Sequence, residues 1–191
     1  MMRVVFLDRD GVINRDSPDY IKGWHEFVFL SGSLDAIARL TRAGLPVIVV
    51  TNQSAIFRGL ITQEILADMH RRMLRAVADA GGRIFDIRHC PHGPDQACGC
   101  RKPAPGMLLS AAADHGIDLA ASAMVGDSAK DILCARNAGC GCSILVETGD
   151  FASARTKLAH KGIDPDHVAP DLNGAVDWII HHCGPGENPL P

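Results

Sequence analysis

The strongest constraint on this chain is a repeated alternation, in which short apolar, β-rich runs are each followed by a longer run with helical periodicity. Such an alternation builds a parallel sheet covered by helices on both faces. Residues 3–7 predict the first strand. Residues 33–43 read as a helix, with Ser33 as its N-cap and Gly44 just beyond its end. Residues 46–50 are an unbroken apolar run, as a strand buried on both faces requires. Residues 62–80 carry Ile65, Leu66, Met69, Met73, Ala76 and Val77 at helical spacing and stop at Gly81 and Gly82. The pattern continues with a strand at 84–88, a Pro/Gly/Cys-rich loop over 90–105, a helix at 106–115 and a strand at 122–125. A helix at 128–138, a strand at 142–146, a helix at 151–160, a short strand at His167 and Val168 and a helix at 172–182 complete it. The expected fold is a three-layer, doubly wound α/β sheet in one domain over 1–183, with 184–191 as a disordered tail.

Length and charge narrow the partners. A chain of 191 residues with 47% hydrophobic and 21% charged side chains can bury one real core. Its net charge of −3 supplies no global basic field, so neither nucleic acid nor an anionic membrane is an expected partner. An anionic ligand would have to meet local cations. The apolar run at 4–7 is far too short for a signal peptide or a membrane span, so a cytoplasmic protein, and a monomer, is expected. Seven cysteines, an odd number, then read as thiols or metal ligands rather than disulfides.

In open α/β sheets, ligands bind outside the carboxyl ends of the strands, and here each of those ends is polar. The first strand runs into Asp8, Arg9, Asp10 and Gly11. Two carboxylates two residues apart on a chain leaving a buried strand are costly unless compensated, and Mg²⁺ suits such oxygens. A solvated Asp–Gly turn is the plainer reading, and a calcium loop fails because Phe6 and Ser17 stand where its end ligands belong. The second strand ends in Thr51, Asn52, Gln53 and Ser54, which could grip phosphoryl oxygens or merely cap a helix. Lys102 precedes a helix, where a cation suits a phosphate, although an isolated lysine there is by default a surface residue. The fourth strand ends in Gly126 and Asp127, with Asp131 one helical turn later; both acids fit a metal site or simple N-terminal capping. Four such motifs at equivalent topological positions point to one active site more readily than to four coincidences.

Together, DRDG, TNQS, the downstream lysine and GDxxxD resemble the four motifs of the haloacid dehalogenase superfamily. The resemblance implies a phosphatase in which Asp8 attacks phosphorus to form an aspartyl-phosphate and Asp10 serves as general acid and base. It implies that Thr51 and Lys102 stabilise phosphoryl charge, and that Asp8, the Asp10 backbone carbonyl and Asp127 hold Mg²⁺.

Cys90, His92, Cys98 and Cys100 form a C-x-H-x5-C-x-C array. Three thiolates and an imidazole make a closed tetrahedral zinc set, hence a structural one; a Gly/Pro-rich loop has few apolar neighbours in which to bury them as free thiols. With DRDGVIN, TNQSAIFRG, CRKPAPGM and MVGDSAKD, this array makes the chain resemble the D-glycero-D-manno-heptose 1,7-bisphosphate phosphatases and the related histidinol-phosphate phosphatase domains. The first resemblance implies removal of the 7-phosphate, a place in the synthesis of lipopolysaccharide or another heptosylated glycan, and Asn52, Gln53 and Arg101 as substrate contacts; the second implies histidinol phosphate instead. Ala55 stands where the family commonly has Gly, and Ser128 where many members have Lys, so that a phosphate contact is either missing or supplied by Lys130. Residues 14–29 are expected to form a small flap in place of a large cap, with Asp19, Tyr20, Lys22, Trp24 and His25 at the entrance or simply packed. A phosphotransferase is disfavoured without a cap to exclude water, and a silent zinc module is disfavoured by the intact Asp8/Asp10/Thr51/Lys102/Asp127 set. Cys134, Cys140, Cys142 and Cys183 are read as packing residues rather than a second metal site, and His89, His115, His160, His167, His181 and His182 show no partner pattern.

Overall fold

A computed structural model describes residues 1–182; the expected tail at 184–191 and Cys183 lie outside the described residues. Among the described residues, six strands form one parallel sheet: β1 (Val5–Leu7), β2 (Val47–Asn52), β3 (Ile84–Cys90), β4 (Ala123–Gly126), β5 (Cys142–Val146) and β6 (His167–Ala169). Their spatial order is β3-β2-β1-β4-β5-β6, and every pairing is parallel. This is the doubly wound order, in which the winding reverses between β1 and β4 and leaves a crevice at their carboxyl ends.

The helices are α1 (Ser33–Arg42), α2 (Gln63–Asp79), α3 (Gly106–His115), α4 (Ala129–Ala138), α5 (Phe151–Ala159) and α6 (Leu172–His182). Side chains alternate across the strands and so feed two separate cores. Val5, Leu7, Val47 and Val49 meet α1, α2 and α6 through Ile37, Leu40, Met69, Met73 and Val176. On the opposite face Phe6, Ile48 and Val50 meet α3 and α4 through Leu108, Ala111 and Cys134. A third, smaller group under α5 joins Ile132, Leu145 and Leu158. The three-layer expectation from the unbroken apolar runs therefore holds.

Several boundaries differ from the sequence reading, two of them for a plain physical reason. Helix α1 takes Gly32 as its N-cap and Ser33 as its first residue, because Gly32 enters with φ 77, a left-handed conformation that suits glycine. Strand β2 runs two residues past Val50, through Thr51 and Asn52, because β3 pairs with it as far as Asn52 and Cys90. The polar ends of β2 and β3 are thus held in the sheet rather than in free turns. At β1 the regular strand begins at Val5 and not Arg3.

Leu40 on α1 is fully buried, whereas Leu109 on α3 is 46% exposed. Leu40→Ala is expected to cost about 3 kcal/mol in urea unfolding, while Leu109→Ala stays within about 0.5 kcal/mol; equal losses would contradict the layer assignment.

Candidate active site

Asp8 and Asp127 leave β1 and β4 on either side of the reversal point and line a cavity of about 320 Å³ with Asp10, Thr51, Asn52, Gln53, Arg101 and Lys102. Gly11 makes the close approach possible: it sits at φ 83, and a Cβ there would fall 2.1 Å from Asp127 Oδ2. Gly149 presses on the same oxygen from the end of β5, where a Cβ would lie 2.2 Å away. The Thr148 hydroxyl donates to the Gly11 carbonyl, tying this loop to the first motif.

Lys102 is 2% exposed and has three oxygen partners. Its Nζ donates to the Val50 carbonyl at 2.9 Å, and ion-pairs with Asp8 Oδ1 at 2.9 Å and Asp131 Oδ1 at 2.6 Å. Burial alone would lower its pKa, but Asp131 and Asp8 outweigh burial and raise it. The other oxygen of Asp131 accepts from the Ser128 amide and hydroxyl, closing a capping box at the start of α4. Asp131 thus caps the helix, one of the two readings the sequence left open, and also anchors the lysine, a role no sequence signal pointed to. Asn52 is equally committed: its amide donates to the Lys102 carbonyl at 3.1 Å and its oxygen accepts from the Lys102 amide at 3.0 Å.

Asp8 and Asp10 receive opposite treatment. Burial raises the pKa of Asp8 well above the usual range, Asp131 and Asp127 add to this, and Lys102 opposes it. Asp127 is pushed up to about 7 by burial and by Asp131, with Lys102 again opposing. Burial would raise Asp10 too, but the Arg9 charge and the bonds from Asn14, Arg9 and Gln53 outweigh it and hold Asp10 below its ordinary value. Asp10 Oδ1 accepts from Asn14 at 2.8 Å and from Arg9 Nε and Nη2 at 3.2 and 3.0 Å. Its Oδ2 accepts from Arg9 Nη2 at 3.0 Å and from Gln53 at 2.8 Å; the same Gln53 amide also reaches the Thr51 hydroxyl at 2.8 Å.

The Cys/His array closes on itself beside this cavity. Cys90 Sγ lies 3.5 Å from His92 Nδ1, 3.8 Å from Cys98 Sγ and 3.2 Å from Cys100 Sγ, and His92 Nδ1 lies 3.3 Å from Cys100 Sγ. Zinc–sulfur bonds of about 2.3 Å place tetrahedral sulfurs about 3.8 Å apart; the Cys90–Cys98 pair has that spacing, Cys90 and Cys100 lie closer, and all four ligand atoms fall within 4.8 Å of one another, so the quartet could hold a metal ion. Burial and Cys100 push the Cys90 thiol up to about 12 without a cation to offset it. Arg101, the next residue, donates from Nη1 to the His92 carbonyl at 3.0 Å, so the loop carries the pocket-lining arginine directly.

A family model for HAD-hydrolase-like proteins matches residues 99–175. The D-glycero-β-D-manno-heptose-1,7-bisphosphate 7-phosphatase of Bordetella bronchiseptica is 43% identical over 183 residues, covering 95% of this chain and 100% of that protein. The Pseudomonas aeruginosa protein of the same name is 49% identical over 146 residues, 76% of this chain and 82% of that one. The chain belongs to the heptose-bisphosphate phosphatase family of the haloacid dehalogenase superfamily. Among solved structures, the B. bronchiseptica D,D-heptose 1,7-bisphosphate phosphatase complexed with magnesium and phosphate superimposes with a TM-score of 0.87 at 43% identity. It covers 94% of this chain and 99% of its own. The Burkholderia thailandensis D,D-heptose 1,7-bisphosphate phosphatase gives 0.69 at 37% identity, covering 93% and 98%. The named relatives favour the heptose reading over histidinol phosphate.

Within this family frame, several residues stand elsewhere than the sequence led us to expect. The Asp10 carboxylate is drawn away from the acid cluster of Asp8, Asp127 and Asp131 by Arg9, Asn14 and Gln53; the sequence reading gave the metal its backbone carbonyl and not this side chain. Asp131 has both oxygens engaged, so Asp8 and Asp127 are the side chains that could hold a cation. Three acids there face one buried lysine, an imbalance that a dication fits. Asn52 and the Gln53 nitrogen are spent on Lys102, Thr51 and Asp10, which makes them supports of the site. Lys130 is exposed at the cavity rim. In the flap, Trp24 packs against Phe27 and Phe29, whereas Tyr20 lines the cavity at φ 64 with Arg58 over its ring. Lys22 and His25 pair with Glu26, and Asp19 stays on the exposed side of the flap. His115, read as partnerless, bonds Asp86 at 2.9 Å at the sheet edge. Arg9, Asn14 and Gly149 were missed; the only signal for Arg9 was an arginine flanked by strand and acids, and buried arginines need partners.

Two outcomes follow. Cations bind the ionised acids, so they must displace the proton that Asp127 holds up to about 7. Mg²⁺ affinity by calorimetry is therefore expected to rise several-fold between about pH 6 and about pH 8, and a flat profile would contradict the assignment. The purified protein is expected to carry one zinc by elemental analysis, and Cys100→Ser to lose it with a lowered Tm; wild-type protein free of zinc would refute the loop reading.

Proposed function

We propose that this protein hydrolyses the 7-phosphate of D-glycero-β-D-manno-heptose 1,7-bisphosphate, with Asp8 as nucleophile. The observation that carries the reading is the convergence of Asp8, Asp10, Thr51, Lys102 and Asp127 on one cavity at the reversal point of the sheet. Full-length relatives of that name support the substrate.

Asp8 Oδ1 is taken by the Arg9 amide at 2.7 Å and by Lys102, which leaves Oδ2 to attack phosphorus. The phosphorus–oxygen ester bond breaks as the aspartyl-phosphate forms on Asp8, and Asp10 gives its proton to the departing sugar oxygen. At rest Asp10 is a carboxylate; the dianionic ester drawn in beside it raises its pKa, which lets it enter the first step protonated. Afterwards Asp10 takes a proton from the water that hydrolyses the acyl phosphate. Thr51 offers its hydroxyl to a phosphoryl oxygen, and the Lys102 charge at Asp8 offsets the accumulating negative charge. Asp8, Asp127 and the Asp10 carbonyl would hold Mg²⁺, which lowers the repulsion between anionic nucleophile and anionic ester.

Arg101, held by the zinc loop, and Lys130 are the rim cations available to the substrate's second phosphate. Zinc pins the loop that presents Arg101. The catalytic unit is one domain over 1–183, and the protein acts in the cytoplasm as a monomer, supplying a heptose 1-phosphate for glycan assembly.

Asp8→Asn is expected to lower kcat by about four orders of magnitude with the fold intact, and unchanged turnover would end the nucleophile assignment. In parallel assays, β-heptose bisphosphate is expected to exceed both its α anomer and histidinol phosphate in kcat/KM. Faster turnover of histidinol phosphate would overturn the substrate.

A further inference from the structure

A buried histidine beside the site is left unused by this chemistry. His70 lies on the inner face of α2 between Met69 and Met73, and is only 9% exposed. Its Nε2 stands 3.3 Å from Arg9 Nη1. Arg9 is itself 1% exposed and is the largest of the fully buried side chains. Its Nε and Nη2 are committed to Asp10, and its guanidinium carbon lies 5.7 Å from the centre of the Phe27 ring. Phe27 is fixed in turn by stacking on Trp24, with ring centroids 5.0 Å apart.

A guanidinium keeps its proton under any accessible condition, so its buried Nη1 needs an acceptor. Of the two forms of His70, only the neutral imidazole offers one. Burial, the Arg9 charge and His89 push His70 down to about 3, which keeps it in that form. On the far side, His89 sits edge-on at 6.0 Å and its Nε2 meets Gln63 Oε1 at 3.2 Å. The guanidinium is therefore bounded on its face by Phe27 and at its outer edge by His70. Without the acceptor at its edge, Arg9 would shift to satisfy Nη1 and carry Nε and Nη2 off the carboxylate.

We propose that His70 is a positioning residue for the acid–base step, its Nε2 fixing the Arg9 guanidinium that orients the Asp10 carboxylate. The inference rests on the reading of Asp10 as general acid. It separates from a plain packing role because an acid–base defect depends on the leaving group. An alkoxide must be protonated as it departs, whereas p-nitrophenolate departs without help.

The test compares His70→Leu, His70→Gln, Arg9→Lys and Asp10→Asn on heptose bisphosphate and on p-nitrophenyl phosphate. The quantity read is kcat/KM, which reports the step that expels the leaving group. His70→Leu is expected to lose about tenfold on the sugar phosphate and less than about twofold on the aryl phosphate. His70→Gln, which restores an acceptor oxygen, recovers most of the loss. Arg9→Lys keeps the charge but not the fork, shows the same selectivity, and carries the test if His70→Leu does not fold. Asp10→Asn shows that selectivity at larger amplitude. A selective Asp10→Asn beside unselective or silent His70→Leu and Arg9→Lys would overturn the role of His70 and leave Asp10 as the acid. An unselective Asp10→Asn would overturn both.

Discussion

The ammonium of Lys102 is the interaction on which the site depends. It joins the Val50 carbonyl within β2, the acid at the end of β1 and the acid in the first turn of α4. Two carboxylates and an ammonium taken out of water together cost several kcal/mol per ion unless their geometry is close and their remaining bonds are filled. Here they are filled: Asp131 completes a capping box, Asp8 accepts from the Arg9 amide, and Asn52 clamps the Lys102 backbone on both sides. Removing any member leaves an uncompensated buried charge, so the motifs stand or fall as a unit.

A second constraint separates two acids that the chain places side by side. Asp8 faces other carboxylates and is driven toward its protonated form, which is the electrostatic condition that a divalent cation relieves. Asp10 turns the other way, into five hydrogen bonds from Arg9, Asn14 and Gln53, and stays ionised. Two residues of separation on a strand-to-loop exit are enough to send the side chains into different environments. Pairs of titratable groups pushed apart in this way are how one site houses both a nucleophile and an acid–base.

The cavity's outer wall is built from pieces that could not stand alone. In the loop over 91–105, Cys98 and Cys100 pack against the core that holds Cys90, and the ligand atoms of Cys90, His92, Cys98 and Cys100 gather at one point. Because β3 runs on through Cys90, that point is attached to the sheet, and Arg101 and Lys102 inherit its rigidity. The flap lines the other side with Pro18, Tyr20 and Ile21, while Trp24, Phe27 and Phe29 pack on one another.

Much of this was legible in the chain before any coordinates. Period-two and period-3.6 patterns are local, so the strands, the helices and the two-faced burial of residues 46–50 could be read directly. The Cys/His quartet and the four strand-end motifs were legible too, because their chemistry is written in neighbouring residues. Asp131 pairing with Lys102 was not legible, nor Asn52 turning to the Lys102 backbone, nor Arg9 spanning Asp10 and His70. These partners lie from 29 to 61 positions apart, and only the crossing of β1, β2, α2 and α4 brings them together. Sequence by itself determined which groups could do phosphoryl chemistry and on which end of the sheet. Tertiary structure decided which of them touch the reacting atoms and which hold the others in place, because the partner of a buried charge is chosen by proximity in space, and a linear pattern carries no record of that.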